Sequence, residues 1–293
     1  MHDLLNQNPA LFYAAVGLFG LIVGSFLNVV IIRLPRMMEA QWRASAAEIL
    51  GQPATPEDTA ALNLSQPRSC CVHCNTPIRA RDNIPVISFL LLRGRCASCG
   101  ATISWQYPLV EFMAAAMSLV VAARFGPTPF AGFALLYTWM LLAAAVIDWR
   151  TQFLPDALTL PLLWLGLLLS LGHAGGVAQV DPATAIIGAA AGYGVLWLVF
   201  QLFLLVTGKE GMGYGDFKLL AAIGAWLGWQ TLPLVLLLAS LAGALVGGGL
   251  MASGQLARGK PMPFGPWLAI AGWLGLVAGD TISRAYLSFA GLS

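Results

Sequence analysis

Three observations predict an all-α polytopic membrane protein with about eight transmembrane helices. First, 58% of the 293 residues are hydrophobic and only 10% are charged, where a soluble domain is about 45–50% apolar and about 25% charged. The mean hydropathy of +0.78 agrees. Second, the apolar residues fall in stretches near the ~20 residues that a bilayer core requires. They run over about 10–32, 107–123, 129–147, 155–171, 184–206, 216–230, 232–251 and 264–289. Third, the basic residues are unevenly placed. Thirteen of the fifteen Lys and Arg fall on one side of an eight-span topology, leaving only Arg124 and Arg284 on the other. Loops rich in Lys and Arg stay cytoplasmic, so the termini are expected outside and residues 33–105 inside. A net charge of +2 argues against nucleic acid as a partner; the lipid bilayer is the expected one.

The first stretch reads as a retained helix over 1–32. Met1-His2-Asp3 offers no basic n-region, and the apolar run is longer than that of a cleaved signal. A cytoplasmic segment over 33–105 follows, and then a seven-helix membrane domain over 106–293. Within the segment, Ala44 to Leu50 has helical composition and Pro53, Pro56 and Pro67 mark an irregular connector. The boundary between the sixth and seventh stretches rests on Gly228-Trp229-Gln230-Thr231 and Pro233 alone. If they merged, the count would be seven. Gly188 with Gly192, and Gly243 with Gly247, have the small-xxx-small spacing that lets membrane helices approach closely.

Four of the five cysteines form two pairs, Cys71-x2-Cys74 and Cys96-x2-Cys99. Two CxxC knuckles at this separation suit a tetrahedral zinc site. So small a segment has little core, so zinc bound there would be structural and supply much of its folding energy. Reduced thiols without metal, or disulfides, are the alternatives, and a cytoplasmic location disfavours disulfides. Cys70 and His73 are further conceivable ligands.

Charges at membrane depth need a reason. Asp280 and Arg284 stand at helical pairing distance. Glu111, after Tyr107-Pro108, reads as a carboxylate in a first helical turn, and Asp156, after Leu154-Pro155, as another. Asp148 closes the third stretch and Asp216 opens the sixth, so both lie at the cytoplasmic edge and can meet. Two adjacent carboxylates cannot both ionise cheaply, so the pair shares a proton. That state suits an aspartic protease: one carboxylate activates water and the other protonates the amide carbonyl. Gly211, Gly213 and Gly215 would let a substrate chain approach the backbone. Two interfacial carboxylates near Arg150 and Lys218, an ion-coupled transporter using the same groups, and a scaffold displaying a zinc module are the competing readings. Lys218 either holds the charge of Asp216 or snorkels. Glu210 either meets substrate charge or solvates its loop.

Taken together, these motifs resemble the type IV prepilin peptidases, a GxGD aspartic protease family. The resemblance rests on Gly213-Tyr214-Gly215-Asp216 within Glu210 to Leu219, and on Asp148-Trp149-Arg150-Thr151-Gln152-Phe153-Leu154-Pro155-Asp156. It extends to Gly24-Ser25-Phe26-Leu27-Asn28, Arg33-Leu34-Pro35, both CxxC pairs, Tyr107 to Glu111 and Pro263-Phe264-Gly265-Pro266. It implies a bifunctional enzyme of the bacterial inner membrane. Such an enzyme cuts the basic leader from type IV prepilins and type II secretion pseudopilins. It then methylates the new N-terminus with S-adenosylmethionine, whose binding residues are not implied. Asp148 and Asp216 match the catalytic aspartates, and residues 106–293 the protease domain. Cys71, Cys74, Cys96 and Cys99 match the metal ligands, and Gly94 a position linked to methylation. Val72 and Asn75 depart from the Pro and Gly common around the first pair.

Overall fold

The computed structural model describes residues 8–51, 62–254 and 262–289. Met1-His2-Asp3, Pro53, Pro56, Arg258 and Lys260 lie outside the described residues. The described chain is helical, with two isolated β-bridges and no strand. Its helices are α1 (Pro9–Ile49), α2 (Ile87–Leu91), α3 (Gln106–Phe125), α4 (Pro129–Thr151), α5 (Asp156–Ser170), α6 (Pro182–Thr207), α7 (Tyr214–Leu227), α8 (Leu232–Ala252) and α9 (Gly265–Phe289).

All eight apolar stretches fall on helices. Among the described residues, five helical segments are long and apolar enough to cross a membrane: α1, α3, α4, α6, and α8 with the 3₁₀ turn before it. The expected eight spans are not reached by that criterion. Helices α5 and α7 have only 15 and 14 residues. The chain is nonetheless a multi-pass membrane protein.

The residues form two compact units, 1–127 and 128–293. In the first, α1 packs along α3. Gly20 and Gly24 make this possible: a Cβ at Gly20 would lie 2.8 Å from Ala115 Cα, and one at Gly24 2.6 Å from Glu111 Cα. Gly20 and Gly24 are a third small-xxx-small pair. One turn further on, buried Asn28 donates to the Tyr107 carbonyl at 3.0 Å, tying the same helices by a polar contact. Helix α1 continues to Ile49, so Ala44 to Ile49 extend it rather than forming a separate short helix. The Arg33 guanidinium leaves α1 to donate to the carbonyls of Asn63 and Pro67 at 2.9 and 2.6 Å, and so fastens the chain that leads to the cysteines.

In the second unit, local sequence sets the helix ends. Thr128 caps α4 by accepting from the Ala131 amide, with Pro129 in the first turn. Asp181 caps α6 by accepting from Ala183 and Thr184 at 3.0 and 3.1 Å, and left-handed Gly208 ends it. Helix α7 is the core: Asp216, Phe217 and every residue from Leu219 to Trp226 are buried. It lies against α6 with glycine facing backbone. Gly188 and Gly224 abut each other's carbonyls, and a Cβ at Gly192 would fall 2.5 Å from the Leu220 oxygen. Trp226 fixes α5 to α7 by donating to the Leu162 carbonyl at 2.8 Å. Buried Tyr137 of α4 packs on the Trp226 ring at 4.8 Å, and Trp273 of α9 donates to Thr138 at 3.2 Å.

The backbone approach at Gly192 cannot relax as a flexible side chain would. Gly192→Leu is expected to cost about 2–3 kcal/mol, the upper part of the overpacking range. Gly194→Leu, on the same helix with open space among the described residues, is expected to stay within about 0.5 kcal/mol of the parent. Denaturant unfolding in detergent micelles measures both.

Candidate functional site

Asp148 lies in the last turn of α4. The helix stops just beyond it because Gln152 turns left-handed at φ 54°, its amide bonding the Asp148 carbonyl at 2.8 Å. Asp216 lies in the first turn of α7, three residues after the helix cap Gly213. The structure brings the two carboxylates together. They interact electrostatically, and they are only 5% and 7% exposed. Asp148 Oδ2 and Asp216 Oδ1 are buried and lack a hydrogen-bond partner among the described residues. A buried polar atom left unpaired costs about 1–3 kcal/mol, so such atoms call for an explanation beyond packing.

A third element reaches this pair. Gly265, the first residue of α9, turns its backbone N–H toward the Asp148 carboxylate. A Cβ there would lie 2.6 Å from Asp148 Oδ2 and 2.8 Å from Leu154 Cδ1. Sequence reasoning quoted Pro263-Phe264-Gly265-Pro266 but gave Gly265 no role. No local signal reveals it, because the contact is long-range.

The glycines before Asp216 differ in their surroundings. Gly211 is needed for packing, since its Cβ would strike the Phe203 ring at 2.7 Å. Gly215 is needed too, with Leu154 Cβ 2.6 Å from the corresponding position. Of the three, Gly213 has open space where a Cβ would be. Phe217 anchors this end of α7 edge-on against Tyr193 and Phe200 of α6, at 5.7 Å each.

Lys218 neither pairs with Asp216 nor merely snorkels. Its ammonium donates to both oxygens of Asp156, at 2.6 and 2.8 Å. Glu111 also differs from expectation. It is buried beyond the first turn of α3, where it accepts the Val86 amide at 2.7 Å. That bond holds Val86 at φ 60°, a backbone region unfavourable for a β-branched residue. The guanidinium of Arg284 donates to the Asp280 backbone carbonyl at 3.2 Å. Glu210 is exposed.

In the first unit the four paired cysteines converge, with all four sulfurs within 4.8 Å of one another. Cys71 and Cys99 sulfurs are 3.8 Å apart, about the edge of a tetrahedron with metal–sulfur bonds of about 2.3 Å. Cys70 and His73 stand outside the cluster. The two knuckles repeat one construction. In the first, the His73 amide faces the Cys71 sulfur at 3.5 Å and the Asn75 amide bonds the Cys71 carbonyl. In the second, Ser98 and Gly100 repeat both contacts on Cys96. Asn75 and Gly100 share the left-handed conformation, at φ 53° and 71°. Asn is the residue besides Gly that enters it most readily, so the departure at Asn75 leaves the knuckle intact. The Thr76 hydroxyl, then its backbone, pull the Cys74 thiol down to about 6, and the Cys99 and Ser98 amides lower Cys96. Both shifts favour the thiolates that a metal needs. Cys99 moves the other way: against the lowering bond from the Ala101 backbone, desolvation and the thiols of Cys74, Cys96 and Cys71 push it up to about 11. The site can hold a metal ion. Gly94 turns left-handed beneath Phe89, whose ring is 3.1 Å from where its Cβ would be, so it is needed for the turn itself.

Comparison with known proteins follows this division. The profile described as "Bacterial Peptidase A24 N-terminal domain" matches residues 18–125. The profile described as "Type IV leader peptidase family" matches residues 135–248. A "Prepilin leader peptidase/N-methyltransferase" of Aeromonas salmonicida is 54% identical, covering 98% of this chain and 97% of its own. Proteins of the same name from Pseudomonas aeruginosa and Neisseria gonorrhoeae are 54% and 46% identical. They cover 99% and 97% of this chain, and 98% and 96% of their own. No solved structure matches. The chain belongs to the type IV leader peptidase family, and it is a peptidase and methyltransferase of that family.

Proposed function

We propose that this protein cuts the basic leader peptide from type IV prepilins and type II secretion pseudopilins, using Asp148 and Asp216 as an aspartate dyad, and then methylates the new N-terminal residue with S-adenosylmethionine. The observation that carries the reading is the meeting of two buried carboxylates with unpartnered oxygens at the adjoining ends of α4 and α7. The names of close full-length relatives support the substrate class.

The chemistry balances with one water. One carboxylate takes a proton from the water as its oxygen bonds to the scissile carbonyl carbon, while the other gives its proton to the carbonyl oxygen. The tetrahedral adduct then collapses, the C–N bond breaks and the departing nitrogen is protonated. This leaves a carboxylate on the leader and an amine on the mature protein. S-adenosylmethionine carries a methyl group on a sulfonium, ready for transfer to that amine once it is unprotonated. Gly213 leaves room beside Asp216 for an extended chain. A site at the membrane edge meets the leader without withdrawing the apolar stem from lipid, and irregular backbone is tolerated where it lines a wet cavity.

The distribution of Lys and Arg supports a bacterial inner-membrane protein with the dyad and the cysteine segment facing the cytoplasm. The four thiolates suit zinc, bound by Cys71, Cys74, Cys96 and Cys99, as a structural ion for a segment with little core of its own.

Asp148→Asn and Asp216→Asn are each expected to slow leader cleavage by about 10²–10⁴-fold while the protein still inserts. Normal cleavage of a purified prepilin by either variant would refute the dyad. In the same assay, product mass should rise by one methyl group only when S-adenosylmethionine is present. Gly265→Ala puts a methyl group 2.6 Å from Asp148 Oδ2, closer than the contact allows, and should lower the cleavage rate by about 10²-fold, the effect of displacing a reacting group by about 1 Å. Elemental analysis should find one zinc per chain, lost in Cys71→Ser and Cys96→Ser and retained in Cys70→Ser.

A further inference from the structure

We propose that Asp156 and Lys218 form a clamp that sets the rotation of α7, and with it the direction of Asp216, so that both act as positioning residues for peptide-bond cleavage. The inference rests on the reading of Asp148 and Asp216 as the cleaving pair.

Lys218 follows Asp216 by two positions on α7. Residues so spaced project from nearly opposite sides of a helix and do not face each other. The two side chains accordingly have different surroundings. Asp216 is buried beside Asp148. The Lys218 side chain is 28% exposed and reaches across to Asp156, the first residue of α5. Its ammonium is held by both carboxylate oxygens, at 2.6 and 2.8 Å, so its place is fixed from two directions.

The segment that ends in Asp156 starts from Asp148. Between them Leu154, 4% exposed, packs where Gly215 lacks a side chain. The clamp therefore joins the chain leaving one aspartate to the helix carrying the other. A second bond between α5 and α7, from Trp226 to the Leu162 carbonyl, lies near the far end of α7. With two fixed points, α7 can neither slide nor turn. A turn of about 20° would swing a group at the side-chain radius by roughly 2 Å, enough to part the dyad. A pair this exposed adds little to stability, which separates its positional role from folding.

The test uses the full-length protein in lipid nanodiscs with a purified prepilin. Asp156→Asn and Lys218→Met should each lower kcat about 10–100-fold, leave KM within about twofold, and shift the thermal midpoint by less than about 3 °C. Asp156→Glu should recover kcat to within about threefold. The clamp is overturned by an unchanged kcat in Asp156→Asn, by a change confined to KM, by a kcat that falls in step with the thermal midpoint, or by Asp156→Glu no better than Asp156→Asn. Asp216→Asn, run in parallel, separates the two readings. If it is inactive while Asp156→Asn keeps full kcat, only the clamp falls; if it cleaves normally, the dyad falls.

Discussion

Helix α7 has 14 residues, about 21 Å at 1.5 Å per residue, against a hydrocarbon core about 30 Å thick. A helix that short cannot cross alone with both ends in water. Its termini must be satisfied inside the protein, and the second unit is built to do this. Glycines let α6 lie against it backbone to backbone, and Gly166 of α5 leaves space for the Trp226 ring. Tyr137 and Ile223 press in from α4 and from α7 itself against Gly272 of α9. The consequence for function is that Asp216, in the first turn of α7, is buried beside buried Asp148 of α4.

The first unit answers a different shortage. Between α1 and α3 the chain has few apolar residues to bury, and the cysteine segment cannot fold on a core of its own. It is held instead by directed contacts. Arg33 grips the carbonyls of Asn63 and Pro67, Glu111 holds the Val86 amide, and the four sulfurs converge on one point. A metal at that point would join the two knuckles by bonds stronger than any packing available there. Arg33 lies on α1 and Glu111 on α3, so the segment is fastened to the two long helices of its own unit.

Much of this was legible in the sequence, for local reasons. Apolar length marks the eight long helical stretches, and the CxxC spacing marks the knuckles; the short helix α2 carries no such mark. Asp148 and Asp216 stand out because charge is scarce at membrane depth. What could not be read was long-range. Nothing near Lys218 points to Asp156, and nothing near Glu111 points to Val86. Gly265 looks like any helix-initiating glycine until Asp148 is placed beside it. A glycine needed for packing and one needed for substrate approach look the same in sequence, so the packing of Gly211 and Gly215 against Phe203 and Leu154 was not legible. The extent of α1 was not legible because the apolar run ends near residue 32, whereas the helix continues through polar residues to Ile49.

The central claim is that Asp148 and Asp216 work as one unit on a water molecule. Groups that act together are strongly non-additive when removed. The most direct measurement is the residual leader-cleavage rate of the double variant Asp148→Asn/Asp216→Asn beside those of the two single variants. A shared dyad predicts that the double variant is no slower than the slower single variant, because either change already disables the pair. Losses that multiply would contradict the claim and assign the two carboxylates separate tasks.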